Sequence, residues 1–146
     1  MADWIVKADG VPLDMSKKIK LVIAGGRDID ESLAVTIINE AMVDLGLVAC
    51  INVVEIVHGG CPNGVDAAVA KHFRGVVPMR VFPADWQKHG KAAGPIRNAQ
   101  MAEYGDELLL VWDGKSRGSA SMKREMEKAG KPIHEQITKG VPCSDG

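Results

Sequence analysis

The sequence predicts an α/β domain, a mainly parallel sheet of about five strands with helices on both faces, from three observations. Apolar, β-branched runs of strand length alternate with segments of helical periodicity. Three runs end in glycine-containing turns that lead into a helical pattern: IKLVIAGGRD (Ile19 to Asp28), VVEIVHGGCPNGVD (Val53 to Asp66) and WDGKSRGSASM (Trp112 to Met122). The 146 residues suit one domain, and 46% apolar content suffices for a core of Val, Ile, Leu, Met and Ala.

In chain order, residues 1–18 read as an N-terminal appendage. Trp4 to Val6 and Val11 to Leu13 flank the turn signal Asp9-Gly10 as the arms of a hairpin. Ile19 to Ala24 has the composition of a strand covered on both faces. Asp28 and Glu31 form a capping box in which Asp replaces Ser or Thr. Leu33, Ile37, Ile38, Ala41, Met42 and Leu45 then recur at helical spacing, and Gly46 stands where a C-terminal cap belongs. A second strand is expected near Val53 to Val57, a turn over His58 to Gly64, and a helix over Val65 to Arg74. A third strand follows near Met79 to Phe82. Pro83 to Gly94 reads as polar and irregular, and Pro95 as the first residue of a helix running to Tyr104. Glu107 to Trp112 is the fourth strand, and Asp113 to Gly118 the third glycine turn. Ser119 to Ala129 is a helix closed by Gly130, and Pro132 to Ile137 a short last strand. The domain therefore spans 19–137, with a loose tail over 138–146. This alternation defines a Rossmann-like, three-layer architecture, in which ligands bind beyond the carboxyl ends of the strands.

A formal net charge of −1 argues against general nucleic-acid binding, which needs a basic face. Cys50, Cys61 and Cys143 are odd in number and lack metal-ligand spacing, so reduced thiols are expected, with no metal and no cofactor. No signal peptide or membrane span is visible, and the expected location is the cytoplasm of a bacterium or of a phage-infected cell.

A strand that turns into a helix through glycines directs bare backbone N–H groups at one spot, which suits a phosphate. Gly25 and Gly26 allow close approach of a ligand, and the Arg27 fork is built to clamp a phosphate. The dinucleotide fingerprint is incomplete here, and Asp28 follows directly. Gly59, Gly60 and Gly64 surround the second turn, whose N–H groups and helix dipole would cradle an anion. Asp66, in the first helical turn, either accepts a ribose hydroxyl or complements the dipole; His58 either faces the ligand or is structural. Cys61 lies near a helix start but has no base assigned to it, so it is not expected to act as a nucleophile. Trp86 offers a flat face for a base or a cover for the core. Arg97 and Asn98, placed in the first turn after Pro95, put a cation where the dipole favours an anion, which points to an anionic partner. Gly114, Gly118 and the Ser119 hydroxyl are candidates to hold a far phosphate or a sugar.

Together, AGGRD, HGGCPNGVD, FPADW, GKAAGPIRNAQM and WDGKSRGSASM, in this order between Ile19 and Ile133, resemble the SLOG superfamily, and within it the single-domain YspA/YpsA-related branch. The resemblance implies a Rossmann-like fold that binds a nucleotide or phosphorylated nucleotide-derived ligand, as a sensor or processor of nucleotide signals. It also implies assembly as a homo-oligomer. More distant members are Lonely Guy-type phosphoribohydrolases, which cleave the N-glycosidic bond of nucleoside monophosphates, and the DNA-processing protein A family, which binds single-stranded DNA. In the Lonely Guy pattern, Arg97 matches the helical Arg and Gly118-Ser119 the Gly-Thr pair, but the Glu falls on Met122. A thioether cannot stabilise an oxocarbenium-like centre or move a proton. Arg97 and the displaced Glu125 are accordingly the catalytic candidates for the alternative of glycosidic hydrolysis. Lys88, Lys91, Arg97, Lys115 and Arg117 would supply the patch for a third reading, single-stranded DNA binding.

Overall fold

The structure, a computed structural model, describes residues 14–138. The expected hairpin, Cys143 and all but the first residue of the expected tail lie outside the described residues. Strands β1 (Ile19–Gly25), β2 (Val53–His58), β3 (Met79–Val81), β4 (Glu107–Trp112) and β5 (Ile133–Ile137) form one sheet in the order β3-β2-β1-β4-β5. Every pairing is parallel, as the strand–helix alternation requires. The fold is the Rossmann-like α/β class read from the sequence.

The side-chain alternation of β1 and β4 builds two cores. Leu21, Ile23, Leu109 and Val111 pack with Ala34 and Ile38 of α1 (Glu31–Leu45) and with Val65 and Val69 of α2 (Gly64–His72). Val22, Leu108, Leu110 and Trp112 pack on the other face, against Met101 and Ala102 of α4 (Ala93–Tyr104) and Met122 and Met126 of α5 (Arg117–Ala129). Both faces of β4 are covered, which is why Leu108 to Trp112 read as an unbroken apolar run. From β1 the chain winds outward through β2 to β3, then returns past β1 to add β4 and β5. The reversal creates a topological switch between β1 and β4, where the loops diverge and leave room for a ligand. No helix among the described residues is long and apolar enough to cross a membrane.

Four local expectations are corrected. Asp30, not Asp28, caps α1, its side chain accepting from the Leu33 amide at 3.1 Å. Ile29, just before the cap, packs into the same core as Ala34, so the added residues of the turn are spent anchoring it. Pro83 to Gly94 is not irregular throughout: Asp85 caps a one-turn helix, α3 (Trp86–His89), and a 3-10 turn over Gly90–Ala92 leads straight into α4. Pro95 is therefore the third residue of α4, where a missing N–H is still tolerated, and Arg97 and Asn98 stand in the second turn. Finally, α5 begins at Arg117 with Ser116 as its cap, so Ser119 lies inside the helix.

Candidate functional site

The ends of β1, β2 and β4 open onto a crevice of about 210 Å³. Ala24 and Gly25 reach it from β1; Gly59, Cys61, Asn63 and Asp66 come from the turn between β2 and α2. Arg97, Asn98 and Met101 project from α4, and Ser116, Gly118, Ser119 and Met122 from the start of α5. Arg27 lies at its rim and also borders a second hollow with Asp28 and Gly64. The structure thus brings Gly25, Arg27, Gly59, Asp66, Arg97, Asn98, Gly118 and Ser119 to one place. Gly26, His58, Gly60, Trp86, Gly114 and Glu125 do not line the crevice. Trp86 is 52% exposed, its ring against Gly94, and Gly114 (φ 85°) is an open turn. Glu125 pairs with Lys128 instead, at 3.4 Å.

The first two glycine turns are used differently from the expectation. The Gly26 amide donates to the Val111 carbonyl at 3.1 Å, and the Val65 amide donates to the Gly26 carbonyl at 3.1 Å. A Cβ on Gly25 would overlap the Val111 carbonyl oxygen, and one on Gly64 (φ 68°) the backbone of Gly26 and Arg27. These glycines let strands and turns pack on one another rather than on a ligand. In the second turn the Gly60 amide donates to His58 Nδ1 (3.1 Å) and the Cys61 amide to Asp66 Oδ2 (3.1 Å). The phosphate corner expected from Gly59, Gly60 and Gly64 is therefore filled by the protein's own acceptors, Asp66 foremost. Burial pushes the Asp66 carboxyl above the usual carboxylate range, opposed by the Cys61 amide, His58 and Arg97. Burial likewise holds the His58 imidazole below its ordinary value, with Asp66 pulling the other way.

Arg97 is held rather than mobile. Nη1 donates to the Gly59 carbonyl (2.9 Å) and, more weakly, to that of Phe82 (3.4 Å), and Nε donates to Asn98 Oδ1 (2.9 Å). A side chain at Gly59 would occupy the place of this guanidinium. Burial lowers the Arg97 pKa, Asp66 raises it, and the Arg27 cation lowers it further. An anion between the two guanidinium groups would relieve that repulsion. Asn98 lines the crevice, but its side chain is engaged within the protein. Its Nδ2 donates inward to Ser121 Oγ (3.1 Å) and the Gly118 carbonyl (3.3 Å), so it orients Arg97 and ties α4 to the start of α5.

That start of α5 carries the strongest ligand signal. Its Ser116 cap contributes no side-chain hydrogen bond, and its first turn holds no acidic residue. Among the described residues, the amides of Arg117, Gly118 and Ser119 donate to no protein acceptor. Ser119 is 3% exposed and its Oγ has no hydrogen-bond partner, the one such buried side-chain atom among the described residues. Arg117 also sets a cation at the first helical position, the arrangement the sequence had suggested for Arg97. Asn63, Ser116, Met101 and Ala24 complete the crevice without having been read from the sequence; only the helix-start positions of Asn63 and Ser116 offered a signal. No group of three or more His, Cys, Asp or Glu among the described residues is placed to hold a metal ion.

Fold and crevice define an α/β domain with a ligand-sized hollow at its switch point, walled by a cation, a half-buried carboxylate and an open helix start. No family model matches the chain. The Gene 61 protein of Mycobacterium phage D29 is 35% identical over 85 residues, 53% of this chain and 67% of that protein. The chain belongs to the family of that phage protein. Two crystal structures of the C-terminal domain of a Pyrococcus furiosus hydrogenase superpose with TM-scores of 0.47 and 0.46, at 14% and 15% identity. They cover 86% of this chain in both cases and 97% and 96% of theirs. Similarity at that level implies nothing about activity.

Proposed function

We propose that the crevice binds a nucleotide or a phosphorylated nucleotide-derived ligand, with its phosphate seated on the start of α5, and that the protein acts as a sensor or processor of such molecules. The carrying observation is the buried Ser119 hydroxyl without a partner, set beside three unpaired amides. A buried polar group left unsatisfied costs about 1–3 kcal/mol, and a phosphate oxygen would remove that cost. The helix dipole favours an anion at the same point, and Arg97 and Arg27 add positive charge nearby. Hydrolysis of a glycosidic bond is less well supported. Met122 faces the crevice where the family resemblance asks for Glu, and Glu125 is directed elsewhere. Single-stranded DNA binding is weaker still: Lys88, Lys91, Lys115 and Arg117 are exposed, but Arg97 is engaged by backbone carbonyls.

Isothermal titration against nucleoside monophosphates, cyclic nucleotides and ADP-ribose derivatives tests the proposal. At least one should bind, inorganic phosphate should compete with it, and Ser119→Ala should weaken it about tenfold. Absence of heat with every compound would refute the proposal.

A further inference from the structure

Resting on the phosphate seat proposed above, we infer that Asp66 forms the opposite pole of the crevice, reading sugar hydroxyls and excluding a second phosphate. The two walls carry opposite hydrogen-bonding character. The α5 wall offers donors: the open amides, with the Ser119 hydroxyl able to turn either way. The α2 wall offers Asp66, which when ionised only accepts. Its orientation is set by the protein before any ligand arrives, because the Cys61 amide binds Oδ2 at 3.1 Å and the Gly59 amide acts on the same carboxylate. A carboxylate has about four acceptor sites, so capacity remains for a ligand. Arg97 does not consume it, since its guanidinium is directed to the Gly59 and Phe82 carbonyls.

A neighbouring pair of hydroxyls is the neutral double donor that a fixed carboxylate binds. A second phosphate at the same end would meet the half-buried carboxylate and be repelled. Size agrees with this. At about 210 Å³ the crevice is smaller than the roughly 300–1,000 Å³ of sites that engulf a drug-sized molecule. It accommodates a phosphate and one sugar, leaving a base at the mouth. Asp66 is thus a specificity-determining residue, and the crevice has a fixed polarity from α5 to α2.

Base-free probes isolate the effect: ribose 5-phosphate, 2-deoxyribose 5-phosphate and ribose 2,5-bisphosphate, titrated into the wild-type chain and Asp66→Asn. Asn keeps an acceptor oxygen for the Cys61 amide, and thermal unfolding checks that the variant is folded. The wild type should prefer ribose 5-phosphate about tenfold over its deoxy analogue, and should bind the bisphosphate more weakly than ribose 5-phosphate. Asp66→Asn should shrink the first preference and admit the bisphosphate. Equal binding of the ribose and deoxyribose forms to the wild type overturns the inference, even if the variant cannot be purified. So does a variant that keeps both preferences. Inorganic phosphate separates the two levels: if phosphate competes in these cases, the α5 seat stands and only the role of Asp66 falls. If no probe binds and phosphate has no effect, the seat itself is wrong.

Discussion

At the scale of single residues, the glycines of the first turn divide into two physical kinds. Gly25 is required by contact: a Cβ there would overlap the Val111 carbonyl oxygen and come within 2.6 Å of Val65 Cγ2, both in well-packed surroundings. Gly26 is unhindered: a Cβ there would meet nothing within 4 Å, and its φ is not left-handed. Gly25→Ala should therefore cost about 1–3 kcal/mol in urea unfolding, while Gly26→Ala should be neutral or slightly stabilising. Equal effects at the two positions would show that the turn is not held against β4 as described. Gly59 is a third kind, since its missing side chain leaves the space that the Arg97 guanidinium fills. The glycines of the first two turns thus serve backbone packing, open space and side-chain access separately.

Among the elements, α4 shows how a helix that shapes the crevice is anchored at its far end. It stops at Gly105 with φ −80°, so no left-handed cap gathers its final carbonyls. Lys131, just after α5, supplies the missing donors: Nζ binds the carbonyls of Ala102 (2.7 Å), Glu103 (2.9 Å) and Gly105 (2.7 Å). A cation there also complements the negative end of the helix dipole. Lys131→Met keeps most of the aliphatic stem but removes the donors, and should lower stability by about 1.5–3 kcal/mol in urea unfolding. A loss below about 0.5 kcal/mol would mean that solvent satisfies those carbonyls equally well. The other end of α4 is tied through Asn98 to α5, which keeps Arg97 and the open helix start in fixed relation.

Across the whole molecule, the two ends of the sheet have opposite electrostatic character. At the end away from the crevice, Glu107 at the start of β4 joins Lys17, before β1, at 2.9 Å and His134, in β5, at 2.7 Å. Burial pushes the Glu107 pKa up, but the hydrogen bonds from His134 and Lys17 outweigh it and hold the carboxyl below its ordinary 4.5. Folding therefore favours the ionised form. Its stabilisation is complete above about pH 4.5 and disappears as pH falls through the lower folded value. Urea midpoints measured at falling pH should drop in this window, and Glu107→Gln should flatten the drop without changing ligand affinity at the other end. At the crevice the sign reverses for Asp66: burial raises its pKa, so its ionised form costs stability, a cost that sets in as pH rises above its ordinary carboxylate value. An end of the sheet that retains such a cost is where a ligand has something to gain by binding.

Periodicity and turn chemistry were enough to determine the α/β class, the extent of β4 and the αL cap at Gly46, because each depends on local spacing that a linear chain displays. The start of α1 was misplaced by two residues, since the choice between Asp28 and Asp30 depends on where Ile29 finds the core. Arg97, Gly118 and Ser119 were also legible as candidates, and the fold brings them together into one crevice. What the second glycine turn does was decided only in three dimensions. Its amides suit an anion, and the anion turned out to be Asp66 of the same chain, because tertiary packing brings that carboxylate to where the turn's N–H groups converge. The Ser119 hydroxyl needed the same information in reverse: only when α4 and α5 pack together is it evident that no neighbour supplies its hydrogen bond. Sequence specifies which groups want partners; the fold determines which of them find one inside the protein and which are left for a ligand.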